Sequence, residues 1–268
     1  MMKRFFAKAY IWILLVMLYA PMIIIGVFSF TEAKVLGNWT GFSTGLYRSL
    51  FTNGAHEALM SAALNTLIIG LEAATVATLL GTVSAIGIFN LRNKRFKAAM
   101  NTLNNVPILN ADIITGVSLF LLFVSMGVTQ GYVTLTLCHI TFCTPYVVLS
   151  VMPRLKQMNP NTFEAALDLG ATPSQALWKV IIPQIRSGMV SGFLLSFILS
   201  VDDFEVSVFN VGTNGLQTLS TYIYADSRKG GLTPELRPMI TIMFAVILAV
   251  LIFMNLRAKK TNQSNSLK

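Results

Sequence analysis

Six long apolar runs alternate with shorter polar segments along the chain of 268 residues. Each run is close to the twenty or so residues that a helix needs to cross about 30 Å of hydrocarbon at 1.5 Å per residue. The pattern predicts an all-α, polytopic membrane protein with a single transmembrane domain. The predicted spans are residues 9–30, 62–89, 106–126, 131–152, 187–209 and 238–256.

Composition supports contact with a lipid bilayer. Hydrophobic residues make up 54% of the chain and charged residues only 12%, whereas soluble domains carry about 25% charged residues. The net charge of +9 would also fit a nucleic-acid binder, but such proteins concentrate basic residues on a soluble face. Here the charges lie between the apolar runs, so we expect a multi-pass protein of the cell membrane with no nucleic-acid partner.

Lysine and arginine orient the predicted spans. Most of the 20 basic residues lie before the first span, after the second, between the fourth and fifth, and after the sixth. Basic segments stay in the cytoplasm, so we expect both termini to be cytoplasmic and residues 31–61 and 210–237 to face outward. The polar tail, residues 259–268, is expected to be disordered.

The predicted cytoplasmic loop, residues 153–186, is far longer than a connection between two spans requires. Asn159-Pro160 predicts the start of a short helix and Gly170 its end. Residues 172–175 have the spacing of a capping box that begins a second helix, which Pro183 is expected to interrupt. Such an elbow either docks into a partner's groove or packs on its own bundle, and amphipathicity leaves both open.

A sequence motif in this loop bears on that choice. Glu164, Ala165 and Ala166 are followed by Gly170 and, thirteen residues later, by Pro183. The arrangement resembles the EAA loop of ABC importer permeases. The resemblance implies a type I ABC importer permease fold, with the elbow coupling the chain to ATPase subunits. It also implies a second homologous permease subunit, two cytoplasmic ATPase subunits and an extracytoplasmic substrate-binding protein as partners.

The chain has no phosphate-binding loop of the form GxxxxGK[ST], and no polar segment is long enough for a nucleotide domain. If ATP drives transport, hydrolysis takes place on another chain. We therefore expect a transport subunit rather than an enzyme. We expect no cofactor on this chain, with ATP-Mg²⁺ bound to the partner subunits.

Five acidic residues fall in apolar surroundings: Glu72, Asp112, Asp202, Asp203 and Glu205. An acid inside a membrane is costly, so each is a candidate for the substrate path. If the fifth span is one helix, Asp202 and Glu205 share a face, and such acids suit a cationic passenger. Alternatively, that helix ends near Asp202 and the acids meet outside water. For Glu72, a hydrogen bond between helices is an alternative, and for Asp112, a position where a helix unwinds or begins.

The segment Ser200-Val201-Asp202-Asp203-Phe204, followed by Val-Ser-Val-Phe at 206–209, resembles spermidine/putrescine permeases, most of all the smaller of the two permeases in such systems. The residues around Asp112 and His139 are similar to spans of that family as well. The resemblance implies polyamine substrates. This chain departs from the family in having Glu205 at a usually apolar position and no proline in residues 211–215.

Other functions stay open from the sequence. Ferric-ion and sulfate permeases share the elbow, and an ion-coupled secondary transporter would use the acids as ion sites, although no internal repeat is evident. We expect Cys138 and Cys143 to pack as small apolar side chains and His139 to be buried and hydrogen-bonded. The Gly188-x-x-x-Gly192 spacing predicts a close approach between helices, either within the bundle or against a second permease.

Overall fold

The computed structural model describes residues 2–33, 37–52, 57–159, 161–213, 215–229 and 233–266. Within these ranges, the regular secondary structure is helical throughout, as the sequence predicts. The helices are α1 (Met2–Phe28), α2 (Gly45–Thr52), α3 (Glu57–Asn90), α4 (Lys94–Leu109), α5 (Asp112–Ser125), α6 (Tyr132–Gln157), α7 (Thr162–Asp168), α8 (Pro173–Ala176), α9 (Ile182–Asp202), α10 (Glu205–Asn210), α11 (Leu219–Ser227) and α12 (Leu236–Ser266).

The chain forms two compact units, Met1–Met60 with Ile223–Lys268, and Ser61–Tyr222. In the first unit, α1 packs on α12. Hydrogen bonds fix the position of the segment that follows α1. The hydroxyls of Ser29 and Tyr47 lie 2.7 Å apart, and Nη1 of the buried Arg237 donates to the carbonyl of Ala33 at 2.7 Å.

The second unit is built around α6, which supplies much of its hydrophobic core. α9 packs along α6 through two glycines. A Cβ on Gly188 would lie 3.0 Å from the carbonyl oxygen of Ser150, and one on Gly192 would lie 3.2 Å from Cα of Val147. The predicted close packing at these glycines is therefore confirmed, and it occurs within the bundle.

The predicted third span, residues 106–126, is wrong as a single helix. α4 ends at Leu109, α5 begins at Asp112, and the two helices bend by 103° at the break. Asn110 has an extended backbone, with φ −83° and ψ 150°, and Pro107 in the preceding turn lacks an N–H for the helical ladder. Asp112 thus begins a helix, which is one of the alternatives that the sequence left open.

The predicted fifth span, residues 187–209, is wrong at both ends. Its helix starts with α8 at Pro173, continues through a π-helical turn at Leu177–Ile181 and α9, and ends at Asp202. Pro183 therefore lies inside a continuous helix instead of interrupting it. The wider π turn directly before Pro183 relieves the clash that a proline ring makes with the preceding turn.

In the part of the chain that the structure describes, four helical stretches are long and apolar enough to cross a membrane: Tyr10–Phe28, Glu57–Asn90, Tyr132–Gln157 and Pro173–Asp202. The bent pair α4 and α5 passes the same test as one broken span, and α12 contributes the shorter apolar stretch Leu236–Ile252. These segments correspond to the six predicted spans, although the number of crossings and their orientation stay predictions. α12 continues through Ser266, into the tail for which the sequence predicts disorder.

Candidate functional site

Two broken segments pack on each other and bring acidic residues together. The carbonyl of Gly116 in α5 accepts a hydrogen bond from Nδ2 of Asn210 in α10 at 3.1 Å. A Cβ on Gly116 would lie 2.9 Å from Cα of Val206. This contact places Asp112 within electrostatic range of Asp203 and Glu205. These two acids follow the main body of α9, about ninety residues later in the chain.

Asp203 sits in the break between α9 and α10, and its side chain is only 5% exposed. Oδ1 accepts from the backbone N–H of Val206 at 3.1 Å, and Oδ2 accepts from the N–H and the hydroxyl of Ser207 at 2.8 and 2.7 Å. The carboxylate therefore caps α10. Because this cap competes with the helical ladder of α9, it explains why the helix ends before residue 209.

The remaining acids of this region have a different environment. Asp112, Asp202 and Glu205 are exposed. Among the described residues, none of the three pairs with lysine or arginine. We name these three residues, each at a helix end beside one of the two breaks, the acidic cluster. Their uncompensated negative charge gives this surface an affinity for cations.

His139 of α6 is buried and hydrogen-bonded, as predicted. Nδ1 lies 2.6 Å from the hydroxyl of Ser200, and Nε2 lies 3.1 Å from the hydroxyl of Ser207. The same Nε2 is 3.6 Å from Oδ2 of Asp203. Sequence reasoning missed this association of His139 with Asp203. Serines at 200 and 207, on either side of the acids, are the only signal that could have suggested it.

Glu72 lies apart from the acidic cluster in its contacts. Its Oε2 accepts a hydrogen bond of 2.6 Å from the hydroxyl of Tyr132, which joins α3 to α6. A shallow cavity beside it is lined by Leu71, Thr75 and Thr136. The hydrogen bond between helices that the sequence offered as an alternative is therefore present.

The first helix of the elbow, α7, ends in the manner that Gly170 predicts. Gly170 has φ +85°, and its N–H donates to the carbonyl of Leu167 at 2.8 Å. The N–H of Ala171 donates to the carbonyl of Ala166 at 3.1 Å. These two bonds form a Schellman motif. The start of α7 is two residues later than predicted, at Thr162, and Pro160 lies outside the described residues.

The elbow exposes an apolar surface. Ala166 is buried against the rest of the elbow, whereas Glu164 and Ala165 are exposed and Leu169 is 90% exposed. The predicted capping box of the second helix is present, with Thr172 Oγ1 accepting from the N–H of Gln175 and Gln175 Oε1 accepting from the N–H of Thr172.

Beyond this cap, the indole of Trp178 is 64% exposed. Together with Leu169, it gives the elbow two large apolar side chains that are more than half exposed.

Both cysteines pack as the sequence predicts. Cys138 and Cys143 are fully buried in the hydrophobic core, and the thiol of Cys143 lies 3.4 Å from the carbonyl oxygen of Ser196. Among the described residues, no group of three or more histidine, cysteine or acidic side chains is arranged to hold a metal ion.

Comparison with known proteins gives a consistent result. The family described as "Binding-protein-dependent transport system inner membrane component" matches residues 77–258. The spermidine/putrescine transport system permease protein PotC of Haemophilus influenzae is 37% identical, covering 97% of this chain and all of the relative. The putrescine transport system permease protein PotI of Escherichia coli is 35% identical, covering 86% of this chain and 82% of the relative.

A solved structure shares the fold at low sequence identity. It is a bacterial ABC transporter involved in the import of the acidic polysaccharide alginate, and a chain of it matches with a TM-score of 0.71. The match covers 96% of this chain and 95% of the other at 13% identity. The all-α fold of a type I ABC importer permease is therefore confirmed.

Proposed function

The chain belongs to the family of binding-protein-dependent transport system inner membrane components, and from this premise we propose that it moves spermidine and putrescine into the cell as a permease subunit of an ATP-driven importer. Its relatives PotC and PotI are named for these two polyamines. The observation that carries the choice of substrate is the acidic cluster of Asp112, Asp202 and Glu205.

Desolvation opposes the passage of a polyamine. A polyamine carries several ammonium groups, and each loses hydration when it enters a low-dielectric passage. Carboxylates offset this loss only if other cations do not already neutralise them. Among the described residues, no lysine or arginine neutralises the acidic cluster. Asp112 and Glu205 each begin a helix, and Asp202 ends one.

Coupling to ATP hydrolysis follows from the continuity of one helix. Pro173–Asp202 forms a stretch of 30 residues, with the elbow at its start and the acidic cluster at its end. A helix is stiff along its axis, so movement of the elbow reaches Asp202 without an intervening loop. The π turn at Leu177–Ile181 is the irregular part of this helix, and π turns are frequent at functional sites.

The partners follow from this assignment. We infer a second homologous permease, two cytoplasmic ATPase subunits that bind ATP-Mg²⁺, and an extracytoplasmic binding protein. The ATPase subunits contact Glu164, Ala165 and Gly170, while the buried Ala166 packs α7 onto the elbow. Pro183 belongs to the same coupling segment, since it lies in the continuous helix that begins in the elbow. Both termini then lie in the cytoplasm. A membrane-impermeant thiol reagent should label Leu169→Cys in inverted membrane vesicles that lack the ATPase subunits and leave it unlabelled in intact cells; the reverse labelling would contradict the orientation.

Uptake of labelled spermidine and putrescine, in cells that carry the whole system, tests the substrate. Asp202→Asn, Glu205→Gln and Asp112→Asn should each raise the KM for uptake about tenfold, which corresponds to about 1.4 kcal/mol of lost binding. Glu57→Gln, at an exposed acid in the first turn of α3, is the matched control and should leave KM unchanged. Normal uptake in all three cluster variants would refute the assignment.

The same cells distinguish the competing functions. Labelled ferric ion or sulfate taken up in place of polyamine would assign the chain to another branch of the ABC permeases. Polyamine uptake that persists without a nucleotide-hydrolysing partner would indicate an ion-coupled transporter.

A further inference from the structure

A buried chain of hydrogen bonds lies behind the acidic cluster and involves His139, Ser200, Ser207 and Asp203. We propose that Asp203 is a positioning residue rather than a substrate ligand. In this proposal, His139 and Ser207 hold its carboxylate so that the break between α9 and α10 keeps Asp202 and Glu205 directed at the substrate. The inference deepens the proposed function and rests on it for the identity of the substrate.

Asp203 is poorly accessible to a substrate. Its side chain is 5% exposed, and three donors, the N–H groups of Val206 and Ser207 and the hydroxyl of Ser207, already occupy its two oxygens. An ammonium group would have to displace these donors to bind. The neighbouring Asp202 and Glu205 are exposed, and no hydrogen bond to their carboxylates is present among the described residues.

Asp203 also satisfies the backbone groups that the break between α9 and α10 leaves free. Asp203 supplies acceptors to amides at the start of α10, which have no helical partner. Its own carbonyl, left without a partner where α9 ends, accepts a hydrogen bond of 2.6 Å from the hydroxyl of Ser220. Unsatisfied backbone groups are costly at membrane depth, so these bonds stabilise the interrupted helix over a continuous one.

The imidazole of His139 connects the two helices at the break. His139 contacts Ser200 near the end of α9 and Ser207 in α10, so one ring from α6 joins the two sides of the break. Since the Ser207 hydroxyl donates to Asp203, it must accept from Nε2–H. The Nδ1 atom then accepts from Ser200. A neutral ring with its proton on Nε2 therefore satisfies every contact. The hydrogen bonds then run in one direction, from Ser200 through His139 and Ser207 to Asp203.

A further anchor fixes the segment from the other side. The N–H of Leu219 donates to Thr66 Oγ1 of α3 at 2.7 Å, and Nδ2 of Asn65 donates to the carbonyl of Gln217 at 3.1 Å. Ser220, which holds the Asp203 carbonyl, follows directly. The break is thus connected to α3 and α6 by polar bonds, and loosening His139 should disturb the direction of Glu205 more than the stability of the whole bundle.

The test combines transport kinetics with the accessibility of position 205. In the assembled transporter, Glu205→Cys is labelled with an uncharged, membrane-impermeant thiol reagent, whose rate reports accessibility and not local charge. Cys138 and Cys143 are fully buried, and the chain without the introduced cysteine measures the background. We expect His139→Ala and Ser207→Ala each to change the labelling rate at least fivefold and to lower Vmax for uptake at least fivefold. Asp202→Asn should raise KM and leave the labelling rate unchanged.

Rescue and additivity separate positioning from a general loss of structure. His139→Gln can place an amide nitrogen near the Nε2 position, so it should restore most of the Vmax that His139→Ala loses. The double variant of His139→Ala with Ser207→Ala should be no worse than the more severe single variant, because both interrupt one chain of bonds. Should His139→Ala fail to assemble, Ser207→Ala, which removes one hydroxyl, decides the outcome.

The opposite result is equally defined. If Asp203→Asn raises KM as much as Asp202→Asn while Vmax and the labelling rate stay at wild-type values, Asp203 is a substrate ligand and the proposal is wrong. The labelling experiment needs no transported solute. A changed labelling rate in a transporter that does not take up polyamines would therefore contradict the proposed function and leave the role of Asp203 intact.

Discussion

The carbonyl of Gly116 and the side-chain amide of Asn210 are joined by a hydrogen bond of 3.1 Å, although the residues are 94 positions apart. The same amide also donates to the carbonyl of Val206 at 3.0 Å. One buried side chain thereby holds together two helices that each begin at a break, α5 and α10. The acidic cluster depends on this contact, because Asp112 lies on one helix and Glu205 on the other.

Substitution of Gly116 should disturb this contact directly. Gly116→Ala places a Cβ 2.9 Å from Cα of Val206 and 3.0 Å from the carbonyl of Glu205, and backbone cannot move aside as a flexible side chain can. We expect about 1–3 kcal/mol of destabilisation and a loss of most polyamine uptake, measured by thermal unfolding in detergent and by initial uptake rates.

Gly87→Ala is the matched control for that experiment. Gly87 lies in α3 with nothing within 4 Å of a Cβ, and alanine favours a helix over glycine. Its stability and uptake should equal or exceed those of the wild type. An equal effect of both variants would contradict the importance of the α5–α10 contact.

Gly170→Ala tests the conformation of the elbow. The φ of +85° at Gly170 disfavours a residue with a Cβ by about 1–2 kcal/mol, so the Schellman motif should open and the direction of the second helix should change. We expect weaker copurification of the ATPase subunits and slower uptake.

Gly215→Ala carries the same backbone strain away from the elbow, because Gly215 has φ +77° and open space around its Cβ position. It should leave copurification of the ATPase at the wild-type level. Loss of the ATPase in both variants would indicate a general folding defect instead of a local effect on docking.

Leu169 is the most exposed large apolar side chain of the elbow, at 90%. If it fills a pocket on the ATPase, Leu169→Asp should reduce the affinity at least tenfold, since apolar anchors at interface centres contribute about 2 kcal/mol or more. Leu169→Met keeps the apolar character and should bind nearly as well. Affinity is measured by titrating the detergent-solubilised permease with the ATPase, and unchanged affinity of Leu169→Asp would place the interface elsewhere.

The pair of Tyr132 and Glu72 separates a structural from a transport role. Tyr132→Phe removes the donor of the bond between α3 and α6 and should cost about 0.6 kcal/mol, the average for such bonds in membranes. Glu72→Gln keeps an acceptor oxygen but removes the charge. With a structural role, Glu72→Gln should transport like the wild type, whereas a large rise in its KM for polyamines would return Glu72 to the substrate path.

Local signals predicted the elbow well. The capping box of Thr172 with Gln175 and the glycine end of α7 at Gly170 depend on residues within four or five positions of each other, so the sequence contains the whole interaction. The start of α7 was predicted two residues early, because Asn159 has two ways to bond its own backbone. Its side chain accepts from the N–H of Asn161 at 3.0 Å instead of capping the helix.

Hydropathy likewise determined the positions of the apolar segments, because the length of a span follows from the thickness of the bilayer. It could not find the breaks inside two of them. Residues 106–126 are apolar enough to be predicted as one span despite Asn110 and Asp112, yet the helix ends at Leu109. Near Asp202, the pattern does not distinguish a carboxylate that faces a passage from one that caps the next helix.

By itself, the sequence determined the class of protein, the apolar segments and the elbow, since all three rest on composition or on interactions between near neighbours. Only the tertiary structure decided which acids are exposed. His139 meets Ser200 across 61 positions and Asn210 meets Gly116 across 94, and partners at such separations are found only once the helices have packed. Burial and hydrogen bonding then separate Asp203 from Asp202, two adjacent and chemically identical residues.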